Sequence, residues 1–211
     1  MRIFKAKKEI DIVYNQKCTA QNTLDRMSDT FDQEVYLAGG MLRDHFFKKP
    51  GEDFDIYMKV QEGFDYETFM ISMLEGIHSL HSFELMSAKD AEGFGYNNKD
   101  IHSIYEGRVN DNDGEHPIQV IVLKVEPTQY INDSFCCSLS KTWQARTYGP
   151  VYSSAFLNSV ADREIRFDFH SSGKFNHSYV NKIIDKFPDM AIDTNTENVL
   201  IRAATREAYW G

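Results

Sequence analysis

Apolar residues recur at helical spacing at Ala20, Leu24, Met27 and Phe31, with Thr19 placed to cap the start, and this predicts a first helix over Thr19–Phe31. A short apolar run predicts a strand over Glu34–Ala38. A helix then covers Met41–Lys48, with Leu42, Phe46 and His45 turned inward and Pro50-Gly51 ending it. Phe54–Lys59 reads as a strand, and Phe69, Met70, Met73, Leu74 and Ile77 line one side of a helix over Tyr66–Leu80. Strands are predicted over Phe83–Met86, Ile101–Glu106 and Pro117–Val125, with Asn110–Gly114 as the turn between the last two. Fainter patterns give strands at Thr142–Ala145, Val151–Ser153 and Glu164–Phe169, and helices at Ser178–Phe187 and Glu197–Tyr209. The order predicts an α/β (α+β) chain: a mixed β-sheet with flanking helices. It is read as a single domain over 1–211, with a core of about 19–125 and a C-terminal extension of about 126–211.

Composition narrows the function. Net charge is −9, and the local basic clusters, Lys5-Ala-Lys7-Lys8 and Lys48-Lys49, are short. Long nucleic acid is therefore a poor default partner, because proteins that grip polyanions present a basic face. No apolar run is long enough for a membrane span, and the start of the chain is charged, without a signal-like apolar core. The expectation is a cytoplasmic protein with no membrane partner. Adjacent Cys136 and Cys137, with Cys18 as the third cysteine, fit neither a disulfide framework nor a zinc site, and read as thiols in a reducing compartment.

The chemistry is concentrated between Val35 and Ile56. Gly39-Gly40 separates a predicted strand from a predicted helix, and residues without Cβ let backbone amides approach a ligand closely. Such a turn at a helix start suits phosphate. Asp53 and Asp55 are two apart on a strand, so their carboxylates share one face. Paired carboxylates repel each other, and magnesium relieves that while also binding phosphates. Each element alone is weak: Gly-Gly is common in turns, and acid-x-acid recurs at Glu9-Ile10-Asp11 and Asp65-Tyr66-Glu67. Their combination, Gly39-Gly40, Arg43-Asp44 and then, nine positions after Asp44, Asp53-Phe54-Asp55-Ile56, is specific.

That stretch resembles the head domain of the DNA polymerase β-like nucleotidyltransferase superfamily, in particular the signature shared by tRNA CCA-adding enzymes and bacterial poly(A) polymerases. The close resemblance covers Val35 to Met58. It implies that Gly39 and Gly40 contact a nucleoside triphosphate and that Asp53 and Asp55 are catalytic and bind Mg2+ (or Mn2+). Arg43 and Asp44 would belong to the nucleotide-binding set, with Arg43 pairing with a phosphate or with Asp44. The second half, from Pro117-Ile118-Gln119-Val120 through Tyr130 and Tyr148 to His177, Lys182 and Lys186, resembles small stand-alone nucleotidyltransferase-like proteins of phages and large DNA viruses, which would place it in the host cytoplasm.

The pattern departs from the superfamily at the third carboxylate position, where strand alternation puts Gln119. Glutamine is a poor magnesium ligand and no base. Three readings stay open: another acid serves, such as Glu106 or Asp168; a one-metal site still turns over; or the chain binds nucleotide without catalysis. The flap and base-reading motifs of CCA-adding enzymes are missing, Glu197 to Arg202 being only a faint echo. The implied function is transfer of a nucleoside monophosphate from an NTP to an unknown hydroxyl acceptor, on a small molecule, a protein or an RNA end. The alternative is a catalytically weakened nucleotide- or protein-binding module of phage origin acting on a host system. His78 and His81 read as a surface pair at a helix end.

Overall fold

The computed structural model describes residues 2–77, 80–86, 99–111, 114–168 and 177–198. The first helix, α1, spans Arg2–Phe31, so Thr19 lies inside it and caps nothing. Its added N-terminal turns carry few packed apolar groups: Val13 is buried, while Ile10 and Tyr14 stay exposed, and that sparse pattern hid them from the spacing. Strand β1 (Tyr36–Ala38) and helix α2 (Gly40–Phe46) follow, then β2 (Phe54–Lys59) and α3 (Tyr66–Gly76). Asp65 caps α3 by accepting from the Thr68 N–H at 2.8 Å. This helix stops short of Leu80, which opens β3 (Leu80–Leu85); His81 therefore stands on a strand and not at a helix end, and His78 lies outside the described residues. The hairpin β4 (Ile101–Asp111) and β5 (Gly114–Leu123) is longer than its pattern.

Two helices escaped the pattern reading. They are α4 (Pro127–Ser134), opened by Pro127 in its first turn, and α5 (Ser154–Asp162), capped by Ser153. Between them lie β6 (Thr142–Ala145) and β7 (Tyr148–Tyr152). The chain continues through β8 (Glu164–Ile165), α6 (His177–Lys186) and β9 (Ala191–Ile192). The strand expected over Glu164–Phe169 is thus cut to a short bridge; Phe167 makes one further isolated pairing, with Cys137. The helix expected at Glu197–Tyr209 lies, from 199 onward, outside the described residues.

Seven strands form one mixed sheet in the order β3-β4-β5-β2-β1-β6-β7, with β2 and β5 parallel and every other neighbour antiparallel. Alternation assigns its two faces. One buries Leu37, Phe54, Ile56, Val120 and Val122 against Leu24 and Met27 of α1, Met41 and Leu42 of α2, and Phe69 and Met73 of α3. The other carries Ala38, Tyr57, Ile121 and Leu123 under Tyr130 and Ile131 of α4. A third cluster joins Cys137, Leu139, Phe156, Ile165, Val180, Ile183 and Phe187, with Phe47 at the end of α2 packed against it. Through that cluster the C-terminal elements dock beside α2, which carries them to the glycine turn.

Candidate functional site: a glycine turn over paired carboxylates

Strand pairing builds the site. Ala38, the last residue of β1, lies opposite Asp55 of β2, so the Gly39-Gly40 turn begins above that carboxylate. A Cβ added at Gly39 would stand 3.8 Å from Asp55 Oδ2, and one at Gly40 would stand 3.9 Å from Asp53 Oδ1. Both carboxylates therefore face the same turn. Gly39 holds φ +76°, which only glycine adopts without strain, and its hypothetical Cβ would also press on the Phe135 ring at 3.2 Å. The turn is anchored from behind: the Gly39 N–H donates to the Thr142 carbonyl at 3.1 Å and Thr142 Oγ1 donates to the Gly39 carbonyl at 3.3 Å.

Asp53 and Asp55 are only partly exposed, and burial pushes the carboxyl of each above its ordinary range. The rise is larger at Asp55, where the neighbouring Asp53 charge adds to burial, and Lys182 and Arg43 oppose it at both. The loop before Asp53 is fixed by α1. Gln16 donates Nε2 to the Gly51 carbonyl at 3.0 Å and its Oε1 accepts from the Gly51 N–H at 2.9 Å. His45 Nε2 lies 3.0 Å from that same Oε1. An amide oxygen only accepts, so His45 carries its proton on Nε2. Burial, and then the Lys17 charge, push the His45 pKa down to about 4.

Arg43 and Asp44 turn inward. Arg43 Nε donates to Asp44 Oδ1 at 2.8 Å, with both side chains almost wholly buried. Arg43 also donates to Ser140 Oγ at 3.2 Å, and its guanidinium lies over the Phe187 ring at 5.5 Å. The second Asp44 oxygen accepts from Lys186 at 2.6 Å. Of the two partners the sequence offered Arg43, the structure gives it Asp44. Yet the Arg43 Nη2 still lies 3.5 Å from the Cβ position of Gly40, at the back of the turn.

Gln119 stands where alternation put it, paired with Asp55 across the parallel β2/β5 ladder. Its Nε2 donates to Glu106 Oε1 at 2.9 Å, and Glu106 is its partner across β4/β5. The row continues to Glu84 on β3. Asp168 sits instead in the C-terminal cluster, where its N–H donates to the Cys136 carbonyl. Among the described residues, no three or more His, Cys, Asp or Glu side chains gather closely enough to hold a metal ion. The two carboxylates of Asp53 and Asp55, facing one turn and repelling each other there, nevertheless form an oxygen donor set that fits magnesium. Sequence reasoning missed Glu52, Lys182 and Lys186 as neighbours of this turn. The one available signal was the helical spacing of the two lysines.

No protein-family model and no curated protein matches the chain. Solved structures do match. The Thermotoga maritima CCA-adding enzyme complexed with tRNA aligns with a TM-score of 0.61 and 14% identity, over 90% of this chain and 42% of its own. A CCA-adding enzyme in complex with CTP gives 0.61 and 13%, over 90% and 42%. A tRNA nucleotidyltransferase complexed with a primer tRNA and an incoming ATP analog gives 0.54 and 14%, over 87% and 50%. The chain has the nucleotidyltransferase fold. It spans at most half the length of these three proteins. Among the described residues no helix is long and apolar enough to cross a membrane.

Proposed function

We propose that the chain is a nucleotidyltransferase that moves a nucleoside monophosphate from an NTP to a hydroxyl on a small molecule, a protein or an RNA end. The observation that carries this reading is the approach of the Asp53 and Asp55 carboxylates to within 4 Å of the Cβ positions of Gly40 and Gly39. Gly39 and Gly40 give the triphosphate an approach to backbone that any side chain would obstruct. Asp53 and Asp55 would hold Mg2+ (or Mn2+), which when bound neutralises phosphate charge and polarises the phosphoryl group. Arg43 and Asp44 act behind the turn, fastening it to α6. The acceptor oxygen forms a bond to the α-phosphorus, the bond from that phosphorus to the α,β-bridging oxygen breaks, and pyrophosphate leaves with the electron pair. Gln119 offers no basic atom, so the hydroxyl proton leaves to a neighbouring carboxylate or to solvent.

A second reading has its own support. Gln119, at the position the family resemblance gives to the third carboxylate, donates to Glu106, and the described residues contain no group of three metal-binding acids. That favours a nucleotide- or protein-binding module with little turnover.

The test is incubation of the protein with each labelled NTP, Mg2+ and a total cell extract, beside the Asp53→Ala, Asp55→Ala variant. Label transferred by the wild type alone supports the enzyme. Equal labelling by both removes it.

A further inference from the structure

Glu52, immediately before Asp53, has its carboxylate clasped by two lysines one helical turn apart on α6. Lys182 Nζ lies 2.6 Å from Oε2 and Lys186 Nζ lies 3.0 Å from Oε1. The two cations have different ties. Lys186 is mostly buried and also holds Asp44 at 2.6 Å, so it is committed to the framework. Lys182 is about half exposed, and Glu52, also about half exposed, is the carboxylate it is paired with. An ion pair between groups this exposed is worth little and exchanges readily.

The position of this clasp matters. Glu52 precedes Asp53 directly, and Asp53 Oδ1 reaches 3.9 Å from the Cβ position of Gly40. The Lys182 charge is felt at Asp53, at Asp55 and at Arg43, three groups that surround the glycine turn. Its hydrogen bond to Glu52 raises its own pKa, so it is a full cation at neutral pH. Glu52 offers these ammonium groups anionic oxygens, and the end of a polyphosphate offers the same kind of acceptor.

We infer that Lys182 is a binding residue for the triphosphate tail of the nucleotide, and that Glu52 keeps its place until the nucleotide arrives. This rests on the nucleotidyltransferase reading and assigns the C-terminal helix a part in it. Lys182 leaves Glu52 and donates to an oxygen of the distal phosphates, while Lys186 stays on Asp44. A nucleoside monophosphate has no distal phosphate and gains nothing from this contact. The chain therefore selects triphosphates through a residue that lies far along the sequence from the glycine and aspartate motif.

The experiment is a double-mutant cycle on the full chain, with Lys182→Met, Glu52→Gln and their combination, each titrated calorimetrically with NTP and with NMP in the presence of Mg2+. Thermal melts of each variant confirm folding. Lys182→Met should weaken NTP binding about 10- to 100-fold, the range of a charge-assisted hydrogen bond, and leave NMP binding unchanged. Lys182→Arg should restore most of the loss. Glu52→Gln should tighten NTP binding in the wild-type background and not in the Lys182→Met background. NTP affinity unchanged in Lys182→Met, or lost equally for NTP and NMP, overturns the inference. Wild-type protein that binds no NTP at all would instead be a failure of the functional reading beneath it.

Discussion

Gln119 donates its side-chain amide to Glu106 at 2.9 Å, from the strand position directly beside Asp55. A carboxylate at position 119 would crowd three negative charges, at Asp55, at 119 and at Glu106, along one row of the sheet. The amide avoids that and spends its N–H on the outer acid.

Gln119→Asp should therefore separate stability from metal affinity. In EDTA the variant should melt below the wild type, because an added partly buried charge has no neutralising partner. With Mn2+ it should bind more tightly, by about tenfold or more, through a third hard oxygen ligand. Melting curves with and without chelator, and Mn2+ titration followed by electron paramagnetic resonance, read the two effects independently.

Asp55 carries the mirror-image expectation. Burial and the Asp53 charge both disfavour its ionised form, so the chain folds against that repulsion when no cation is bound. Asp55→Asn should melt higher than wild type in EDTA, by roughly 2–4 °C for each kcal/mol of repulsion removed in a chain of this size. Added Mg2+ should raise the wild-type melting temperature and leave the variant's almost unmoved.

His45 sets a pH dependence of its own. Its folded pKa is lowered to about 4 by burial and by Lys17, while Asp44 works in the opposite direction. Between that value and the ordinary histidine range near ~6.5 the unfolded chain binds more protons than the folded one. Stability from this group is therefore complete above that upper value and falls as pH drops toward 4. His45→Gln should flatten the slope of unfolding free energy against pH in that window, as urea titrations at stepped pH would record.

Gly39 is constrained twice, by φ +76° and by the Phe135 ring 3.2 Å from where a Cβ would stand. Gly39→Ala should cost about 1–3 kcal/mol of stability from backbone strain and displace Phe135. Nucleotide binding should fall further than stability, because the substitution also changes the turn over Asp55. Denaturant unfolding and NTP titration on the same preparation give the comparison.

Arg43→Met removes one partner of a buried pair and leaves Asp44 to Lys186 alone. The loss should be on the order of 1–3 kcal/mol, the cost of one charged hydrogen bond while Lys186 still compensates Asp44, visible in the urea midpoint.

The legible part of this chain is the part whose chemistry is local. Strand β2 was predicted at its observed bounds because Phe54, Ile56 and Met58 alternate with Asp55, and the glycine turn was readable because its residues adjoin in sequence. Strand alternation on β5 was legible too, and Gln119 pairs with Asp55 as that alternation placed it; its reading as the third-carboxylate position came from the family resemblance. What escaped was fixed by distant contacts. The early turns of α1 are polar, and Gln16 gains meaning only through Gly51 and His45, 35 and 29 residues away. Lys186 reaches Asp44 across 142 residues, a contact that no local pattern displays. Helices α4 and α5 are short, and their burial depends on the aromatic surfaces they meet.

On the proposed function, a nucleotide and a divalent cation are held together by the turn at Gly39-Gly40 and the carboxylates of Asp53 and Asp55. Isothermal titration of NTP into wild type and into Asp53→Ala, Asp55→Ala, each with Mg2+ and with EDTA, tests it directly. Wild-type binding should be saturable, depend on Mg2+ and disappear in the double variant. Wild-type binding that survives both chelation and loss of the two aspartates, or that never occurs, would contradict it.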